Sequence, residues 1–333
     1  MSLRFLIFDQ SYQRMQRELD KLPGADFILM SADRKFSFRG KELALEEVKA
    51  EAGWLNNDLF QSQGAMGGYI AGLMASPNLK WIQSAAAGYE HPIFGEFVKK
   101  GAILSTNHSQ SVGMSEYVLA TVLDHFQRGP ERRASQAESK WNRLKFREIM
   151  KTNWLVIGFG GIGQDVARRA RAFGAHITGV RRSKGTHEFA DRMIGLEDIP
   201  RHLPNADVVV LCIPLSKATA DLANAKFFAA MKKDAVLVNV GRGGLVDEEA
   251  LHAALDSGTP EFAILDVFKT EPLPSDSWIY KHPRIFMTPH ASPDGTGLEE
   301  RGGEVFLENL RSYLKGEPLT NVVSAEEVLG GGK

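Results

Sequence analysis

The stretch Trp154-Leu155-Val156-Ile157-Gly158-Phe159-Gly160-Gly161-Ile162-Gly163 decides the fold of this chain. An apolar run leads into spaced glycines, and the residues that follow predict an amphipathic helix that stops at Gly174. A strand, a glycine turn and a helix in this order are typical of a dinucleotide-binding site, the alternative being a plain tight turn. Such a site uses the first glycine for the turn, the second for close approach to a pyrophosphate and the third for helix packing.

The phosphates of a dinucleotide are expected on the free amides at the start of this helix, where the helix dipole favours negative charge. The predicted cofactor-binding residues of this turn are therefore Gly158, Gly160, Gly161, Ile162 and Gly163.

Composition is that of a globular protein. The 333 residues suggest roughly two domains, with 43% hydrophobic and 24% charged residues. A net charge of −1 argues against a nucleic-acid partner or a membrane surface, and no apolar run is long enough to span a bilayer. The start of the chain lacks a signal-peptide pattern, and Cys212, in an apolar run, is expected to be a small buried hydrophobe rather than a catalytic thiol. We expect a cytoplasmic protein.

Short apolar runs alternate with helical stretches from Trp154 onward. Strands are predicted at 154–157, 176–180, 208–213, 235–240, 262–267 and 285–288, with helices that include 162–173, 217–231 and 247–256. Continuous apolar strands separated by helices indicate a parallel sheet covered on both faces. The first half repeats the rhythm, with strands at 3–8, 27–30, 80–83 and 102–105 and helices at 10–21 and 42–52, so it predicts a second α/β unit.

Three further segments lie outside this alternation. A long helix is predicted at 111–127, connecting the two units, and an amphipathic helix at 304–313. The charged segment 128–147 contains Trp141 and Phe146. It is either a solvated arm or a subunit-contact arm that hides these aromatic side chains.

Three side chains with acid–base or anion-binding chemistry follow predicted strands by two to four residues. Arg242, Glu271 and His290 come after strands 235–240, 262–267 and 285–288. Ligands of open α/β sheets bind beyond the carboxyl ends of the strands, so all three are expected in the crevice of the glycine turn. An arginine forks onto a carboxylate or carbonyl, and a carboxylate beside a histidine favours the protonated imidazole. Taken singly, the alternatives are a surface ion pair, a loop residue and a surface histidine.

At these residues the chain resembles the D-isomer-specific 2-hydroxyacid dehydrogenases. The matching segments are Asn239–Asp247, Leu265–Pro274, Thr288–His290, Pro214–Thr219, Glu308–Leu310 and Pro318–Val323. The resemblance implies two doubly wound parallel-sheet domains of the α/β class. In this arrangement a Rossmann NAD(P)-binding domain at 109–291 is inserted into a flavodoxin-like substrate domain formed by 1–108 and 292–333.

The resemblance also implies roles for individual residues. Arg242 would bind the substrate carboxylate and carbonyl, His290 would be the acid–base residue, and Glu271 would hold His290 protonated and oriented. Asp266 would hydrogen-bond the nicotinamide carboxamide, and Pro214 would also contact the cofactor.

The substrate carboxylate would be gripped by backbone amides of a loop that contains Ala87 and Gly88. Two departures from the family pattern are Glu90, where Asp is frequent, and Ala291-Ser292-Pro293 after the histidine. The second places substrate size in question.

The turn after strand 176–180 indicates which cofactor is used. Sites that prefer NAD carry an acidic residue about 20 residues beyond the glycines, on the ribose hydroxyls. Here Arg181, Arg182 and Ser183 occupy that place. They predict NADP(H) as the preferred cofactor, with NAD(H) as the alternative. A solvated basic turn would carry the same residues.

The expected function is NADPH-dependent reduction of a small 2-oxo acid of the glyoxylate or hydroxypyruvate kind, by a homodimer that associates through 111–150. No metal, nucleic acid or membrane is expected as a partner. Two alternatives are a hydride-transfer enzyme for another small anion, such as formate or phosphite, and a dinucleotide-sensing scaffold like the corepressor relatives of this fold. Formate-type relatives carry Gln at the position of Glu271, which argues against formate.

Overall fold

The computed structural model describes residues 2–62, 64–89, 91–182 and 185–330. The chain divides into two compact units. One, which we call the outer unit, comprises Met1–Ser109 and Thr296–Lys333, and the other, the inserted unit, comprises Gln110–Gly295.

The strands of the described residues are β1 (Leu3–Phe8), β2 (Ala25–Met30), β3 (Phe36–Phe38), β4 (Lys41–Leu43), β5 (Ala52–Leu55), β6 (Trp81–Ser84), β7 (Ile103–Ser105), β8 (Asn153–Ile157), β9 (His176–Val180), β10 (Arg192–Ile194), β11 (Val208–Leu211), β12 (Val236–Asn239), β13 (Phe262–Leu265), β14 (Ile285–Met287) and β15 (Val322–Val323).

The α-helices of these residues are α1 (Asp9–Leu19), α2 (Asn57–Gln61), α3 (Ala65–Ala75), α4 (Pro92–Lys99), α5 (Ser111–Phe126), α6 (Gly129–Ala137), α7 (Gly161–Ala172), α8 (Ile199–His202), α9 (Ala225–Ala230), α10 (Glu248–Ser257), α11 (Leu298–Lys315) and α12 (Ala325–Leu329). Single 3₁₀ turns lie at Leu45–Glu47, Leu196–Asp198, Leu203–Asn205, Gly243–Leu245 and Trp278–Lys281. Within the described ranges, no helix has both the length and the apolar character needed to cross a membrane.

The inserted unit is built on a seven-stranded sheet in the order β10-β9-β8-β11-β12-β13-β14, and every neighbouring pair is parallel. This is the doubly wound dinucleotide-binding order with one strand added. Leu155 and Ile157 of β8 pack into the core on one face of the sheet, and Trp154 and Val156 pack into the core on the other. Both faces are covered, which explains why these strands are continuous apolar runs.

The outer unit contains an eight-stranded sheet in the order β15-β7-β6-β5-β1-β2-β3-β4. Its five central strands are parallel and follow the flavodoxin-like order, while β15 and the β3–β4 hairpin add antiparallel edges. The predicted fold class, two parallel-sheet α/β units, is confirmed.

Helix α11 covers an aromatic face of the outer sheet. The ring of Phe306 on α11 stacks on Trp54 of β5 with 4.2 Å between centroids, and it also contacts Phe5 of β1 at 5.2 Å. Aromatic rings of this size bury a large apolar area, so α11 supplies much of the core on this face.

The predicted helix at 42–52 is wrong. The segment contains β4, one 3₁₀ turn and the start of β5. Val48, Ala50 and Ala52 are buried at every second position, which is the period of an extended strand. The 3₁₀ turn is held by the Glu47 carboxylate, whose Oε2 accepts from the Ala44 amide at 2.9 Å.

The predicted helix at 217–231 is much shorter in the structure, where only α9 is helical. The Thr219 hydroxyl accepts from the Ser216 amide at 2.8 Å and donates to the Pro214 carbonyl at 2.8 Å, which forms a turn instead of a helical start. Asn224 then caps α9, with Oδ1 accepting from Lys226 N at 3.0 Å. A hydroxyl that bonds its own backbone competes with the helix in this way.

Candidate active site

The glycine turn after β8 has no room for side chains at two of its positions. Gly158 has a φ of +101°, and a Cβ added there would lie 2.5 Å from the carbonyl oxygen of Cys212. A Cβ at Gly163 would lie 2.0 Å from the carbonyl oxygen of Gly158. Only glycine fits both positions, because the helix and the loop after β11 approach the turn directly.

The opposite side of the same turn is open. A Cβ at Gly160 would meet no atom within 4 Å, and α7 starts at Gly161 without a side-chain cap. Ile162 is half-buried and packs against the inserted unit's core. The N-terminus of this 12-residue helix, its positive end, therefore begins beside open space and has no side-chain cap. This cradle fits the pyrophosphate of a dinucleotide.

The predicted basic turn lies next to the glycine turn. The amide of Gly158 donates to the carbonyl of Val180, the last residue of β9, at 3.1 Å. Arg181 follows directly and is half-buried, and Arg182 is exposed. The predicted residue Ser183 lies outside the described residues. Arg181 and Arg182 therefore follow β9, and its neighbour β8 leads into the glycine turn.

The loop after β11 brings Pro214 to the same edge of the sheet. Pro214 is exposed, and its carbonyl is held by the Thr219 hydroxyl described above. Strand β11 pairs with β8 on the side opposite β9, so the strand order reverses here. Ligands of doubly wound sheets bind at this switch point.

His290 and Glu271 form a hydrogen-bonded pair. Nδ1 of His290 lies 2.7 Å from Oε2 of Glu271, and Oε1 of Glu271 accepts from the amide of Phe268 at 2.9 Å. Both carboxylate oxygens are thus held, so the orientation of the carboxylate is defined. The side chains are 45% and 35% exposed, which leaves the pair accessible to a small molecule. Nε2 lies on the ring edge away from Glu271, and an imidazole nitrogen can serve as an acid or a base near neutral pH.

The backbone at His290 adopts a left-handed conformation, with φ of +54°. This conformation is unfavourable for a residue other than glycine and persists where surrounding contacts enforce it. The amide of His290 donates to the main-chain carbonyl of Asp266 at 2.8 Å. Asp266 is fully buried at the end of β13, so it anchors the histidine through its backbone.

The carboxylate of Asp266 holds the rest of the same turn. Its Oδ1 accepts from the Thr288 hydroxyl at 2.6 Å and from the Ala291 amide at 2.9 Å, and the Ser292 amide reaches Oδ2 at 3.1 Å. The segment Ala291-Ser292-Pro293 thus contributes backbone donors to Asp266. The resemblance predicts that Asp266 contacts the nicotinamide, and the structure adds this anchoring of the histidine turn.

Tyr117 of α5 completes this group of hydrogen bonds. Its hydroxyl lies 2.7 Å from the Thr288 hydroxyl. Burial, with a smaller contribution from Asp266, raises the pKa of Tyr117 to about 12, so this phenol keeps its proton at neutral pH.

Arg242 lies in a turn that two contacts position. The buried Asn239 side chain donates to the Arg242 carbonyl at 3.0 Å and accepts from the Gly241 amide at 3.1 Å. A Cβ at Gly243 would lie 1.9 Å from the carbonyl carbon of Phe268, whose amide holds Glu271. The arginine turn therefore packs directly on the glutamate segment, and the two predicted site segments are neighbours.

The predicted substrate loop belongs to the outer unit and follows β6. Ala87 and Gly88 are half-buried. The preceding Ala86 is fixed by its amide, which donates to Ser84 Oγ at 3.1 Å, and by its carbonyl, which accepts from the Asn107 amide at 3.2 Å. Glu90 lies outside the described residues.

One group in the described part of the chain has the spacing of metal ligands, namely His252, Asp256 and His282, whose ligand atoms lie within 4.8 Å of one another. Nδ1 of His282 accepts from the Arg284 amide at 3.2 Å, and Nε2 lies 3.3 Å from Asp256 Oδ1. A neutral His282 thus carries its proton on Nε2, where a metal would have to bind. This arrangement favours a hydrogen bond to Asp256.

The sequence did not identify three residues that shape this site. Asn239 and Thr288 lie in family-like segments, but the sequence indicates no role of their own for either residue. Tyr117 carried no signal beyond its place on a predicted helix. The only hint for Thr288 was its position next to the strand end that carries His290.

Comparison with known proteins identifies the family. The family described as "D-isomer specific 2-hydroxyacid dehydrogenase, NAD binding domain" matches residues 119–292. A D-3-phosphoglycerate dehydrogenase of Methanocaldococcus jannaschii is 33% identical over 256 residues, covering 75% of this chain and 48% of that protein. The chain thus spans about half the length of that relative. A glyoxylate reductase of Korarchaeum cryptofilum is 31% identical over 267 residues, covering 76% of this chain and 79% of that protein.

A solved structure of this family matches nearly the full length of the chain. The D-isomer specific 2-hydroxyacid dehydrogenase from Xanthobacter autotrophicus Py2, in complex with NADPH and MES, is 26% identical and superposes with a TM-score of 0.77. The match covers 98% of this chain and 100% of that one. With the glycine turn, the arginine turn and the histidine–glutamate pair in place, this chain belongs to the D-isomer specific 2-hydroxyacid dehydrogenase family.

Proposed function

We propose that this protein reduces a small 2-oxo acid of the glyoxylate or hydroxypyruvate kind to the 2-hydroxy acid, with NADPH as the preferred reductant. The observation that carries the proposal is the His290–Glu271 pair, at 2.7 Å, on the segment packed against the Arg242 turn. The glyoxylate reductase among the relatives supports this substrate class. Because another relative is a D-3-phosphoglycerate dehydrogenase, a phosphorylated 2-hydroxy acid is the main alternative substrate.

A nicotinamide cofactor, held by the glycine turn after β8, would supply the hydride that the carbonyl carbon receives. In this proposal Arg242 forks onto the substrate carboxylate and carbonyl, where a planar guanidinium matches two oxygens at once. Nε2 of His290 gives a proton to the oxygen that becomes the hydroxyl, and Glu271 stabilises the imidazolium before transfer. Ala87 and Gly88 would add backbone donors to the carboxylate. Hydride plus proton convert the 2-oxo acid into the 2-hydroxy acid, which balances the reaction.

Two observations support NADPH over NADH. Arg181 and Arg182 follow β9 where NAD-preferring sites carry an acidic residue. The related enzyme of Xanthobacter autotrophicus holds NADPH in its structure. The 2′-phosphate of NADPH would lie against these two arginines, and the proposal includes Ser183 as a further donor.

We also propose that the protein is a homodimer that associates through 111–150. The charged segment beyond α6 exposes large apolar side chains: Trp141 is 98% exposed, Met150 62% and Phe146 49%. Exposed clusters of this kind mark interaction sites, and a second copy of the chain would cover them.

The proposal is tested by following NADPH oxidation at 340 nm with glyoxylate, hydroxypyruvate and pyruvate, and NAD⁺ reduction with D-3-phosphoglycerate. We expect turnover with the first two acids. His290→Ala should lower kcat by about 10²–10⁴-fold, the usual contribution of a general acid, while NADPH binding stays nearly intact. The matched control is His176→Ala, which changes an exposed histidine at the start of β9, the end away from Arg181. Near-normal kcat in His290→Ala would remove this residue from the mechanism.

A further inference from the structure

We propose that Tyr117 and Thr288 are positioning residues for the acid–base pair, and that they act through the buried carboxylate of Asp266. This inference deepens the proposed function and rests on it for its kinetic test. Neither residue is assigned a role by the reaction described above. Both belong to the inserted unit, as do His290 and Glu271.

The direction of each hydrogen bond in the series from Tyr117 through Thr288 to Asp266 can be assigned. A carboxylate only accepts, so the Thr288 hydroxyl donates its single hydrogen to Asp266 Oδ1, at 2.6 Å. The Thr288 oxygen must then accept in the bond to Tyr117, at 2.7 Å. Tyr117 is therefore the first donor of this hydrogen-bond series, and each bond polarises the next. Loss of the phenol oxygen would leave Thr288 free to rotate away from Asp266.

Asp266, the last acceptor of this series, holds the backbone conformation of His290. Its main-chain carbonyl accepts from the amide of His290 at 2.8 Å, and its carboxylate accepts from the amide of Ala291 at 2.9 Å. Between these two bonds the backbone is held at a φ of +54°. An unfavourable conformation persists only where several contacts fix it together. A shift of Asp266 would thus move the ring of His290 relative to the substrate.

The location of Tyr117 makes it suited to this task. It lies in α5, which packs along α7, the helix that starts in the glycine turn. The two helices are also joined by the Ser111 hydroxyl, which donates to Asp165 at 2.8 Å. Tyr117 therefore projects from a rigid element, and a rigid support keeps a reacting group within the narrow range that transfer requires.

The kinetic test compares Tyr117→Phe, Thr288→Val and Thr288→Ser in the full-length protein. Positioning acts in the transition state, so Tyr117→Phe and Thr288→Val should lower kcat about tenfold to hundredfold. The KM for the 2-oxo acid and the Kd for NADPH should stay within about twofold. Thr288→Ser keeps the hydroxyl and should restore kcat.

The matched control is Thr121→Val, one turn further along α5. Thr121 Oγ1 donates only within its own helix, to the carbonyls of Tyr117 at 2.8 Å and Val118 at 3.2 Å. This variant should keep wild-type kcat. Unchanged kcat in Tyr117→Phe, equal losses in Thr288→Ser and Thr288→Val, or an equal loss in Thr121→Val would overturn the inference.

A second readout does not need turnover. The protein contains nine histidines, and the Cε1–H resonance of His290 is identified as the one lost in His290→Ala. Tyr117→Phe should shift or broaden this resonance, whereas Thr121→Val should leave it in place. An unmoved resonance in Tyr117→Phe overturns the inference. If the wild type reduces no 2-oxo acid, the proposed function fails, and the resonance alone decides whether Tyr117 positions His290.

Discussion

The hydrogen bond from His290 Nδ1 to Glu271 Oε2, at 2.7 Å, joins an ionisable ring to a carboxylate whose other oxygen is already held by Phe268 N. The glutamate therefore has little freedom to turn away. The carboxylate thus fixes the orientation of the ring, and in the proposed reduction this orientation directs Nε2 toward the substrate.

Glu271→Gln should lower kcat/KM for the 2-oxo acid about tenfold or more. The amide removes the charged acceptor that orients the ring through Nδ1, so Nε2 is held less well for proton transfer in the proposed reaction. The measurement is kcat/KM for the 2-oxo acid at neutral pH. Glu249→Gln, an exposed glutamate on α10, serves as the control. Equal kcat/KM for Glu271→Gln and the wild type would show that another group orients His290.

The proposed preference for NADPH over NADH depends on Arg181 and Arg182. Arg181→Asp combined with Arg182→Ala should weaken NADPH binding about a hundredfold and NADH binding little, because a charge-assisted bond to phosphate is worth about 1.5–3 kcal/mol before screening. Rising salt should reduce the affinity of the wild type for NADPH faster than for NADH. Titration of cofactor fluorescence measures both affinities. Equal wild-type affinity for the two cofactors would contradict the phosphate role of this turn.

At the scale of elements, the contact between α5 and α7 contains an ionic cluster. Asp165 of α7 accepts from Ser111 Oγ at 2.8 Å and pairs with Arg168 and Arg169 at 3.0 Å. Partial burial opposes ionisation, but the hydroxyl and the two guanidinium groups outweigh it and lower the pKa of Asp165. The carboxylate therefore stabilises the fold in its charged form.

Asp165→Asn should reduce the free energy of unfolding by about 1 kcal/mol at pH 7, since the cluster is partly solvated. The loss should be the same at pH 5, which lies above the ordinary aspartate pKa of about 3.9, and should shrink as pH falls through the lower folded pKa. Denaturant unfolding at pH 7, 5 and 3 measures it. Asp276→Asn, at an exposed position, is the control. A loss that stays constant down to pH 3 would rule out an ionic contribution.

The elements also show how far sequence reasoning reaches. The strands of the inserted sheet are predictable because β8, β11 and β12 are buried on both faces and read as continuous apolar runs. Strand β10 contributes only Met193 and Ile194 as apolar residues at an edge, so it gave no such signal. Strand β5 is four residues long and follows a segment whose period of two was mistaken for helical spacing.

The candidate site divides in a similar way. His290, Glu271 and Arg242 follow strand ends, and in a parallel sheet the carboxyl ends meet at one edge, so topology alone brings them near one another. The partnership of Tyr117 with Thr288 joins a helix to a strand end 171 residues away. Only the packed structure defines such a contact, because no local pattern encodes it.

At the scale of the whole molecule, the exposed side chains of Trp141, Phe146 and Met150 bear on the oligomeric state. Sedimentation velocity should give twice the mass of the 36.8 kDa chain. Trp141→Ser should weaken self-association about thirtyfold, corresponding to about 2 kcal/mol for an aromatic side chain central to an interface. Phe173→Ser, which changes a half-exposed aromatic residue at the end of α7, should not. A monomeric wild type would contradict the proposed dimer.

The late position of α11 in the chain has a consequence for synthesis on the ribosome. The inserted unit, Gln110–Gly295, emerges entirely before Phe306 becomes available to stack on Trp54. At ordinary translation rates this interval lasts roughly ten to forty seconds. Throughout it this face of the outer sheet lacks α11 and has only α1 to pack against it, while the inserted unit can already close its own core. The interval before α11 is synthesised is therefore the stage at which the outer unit is most exposed to chaperones and to aggregation.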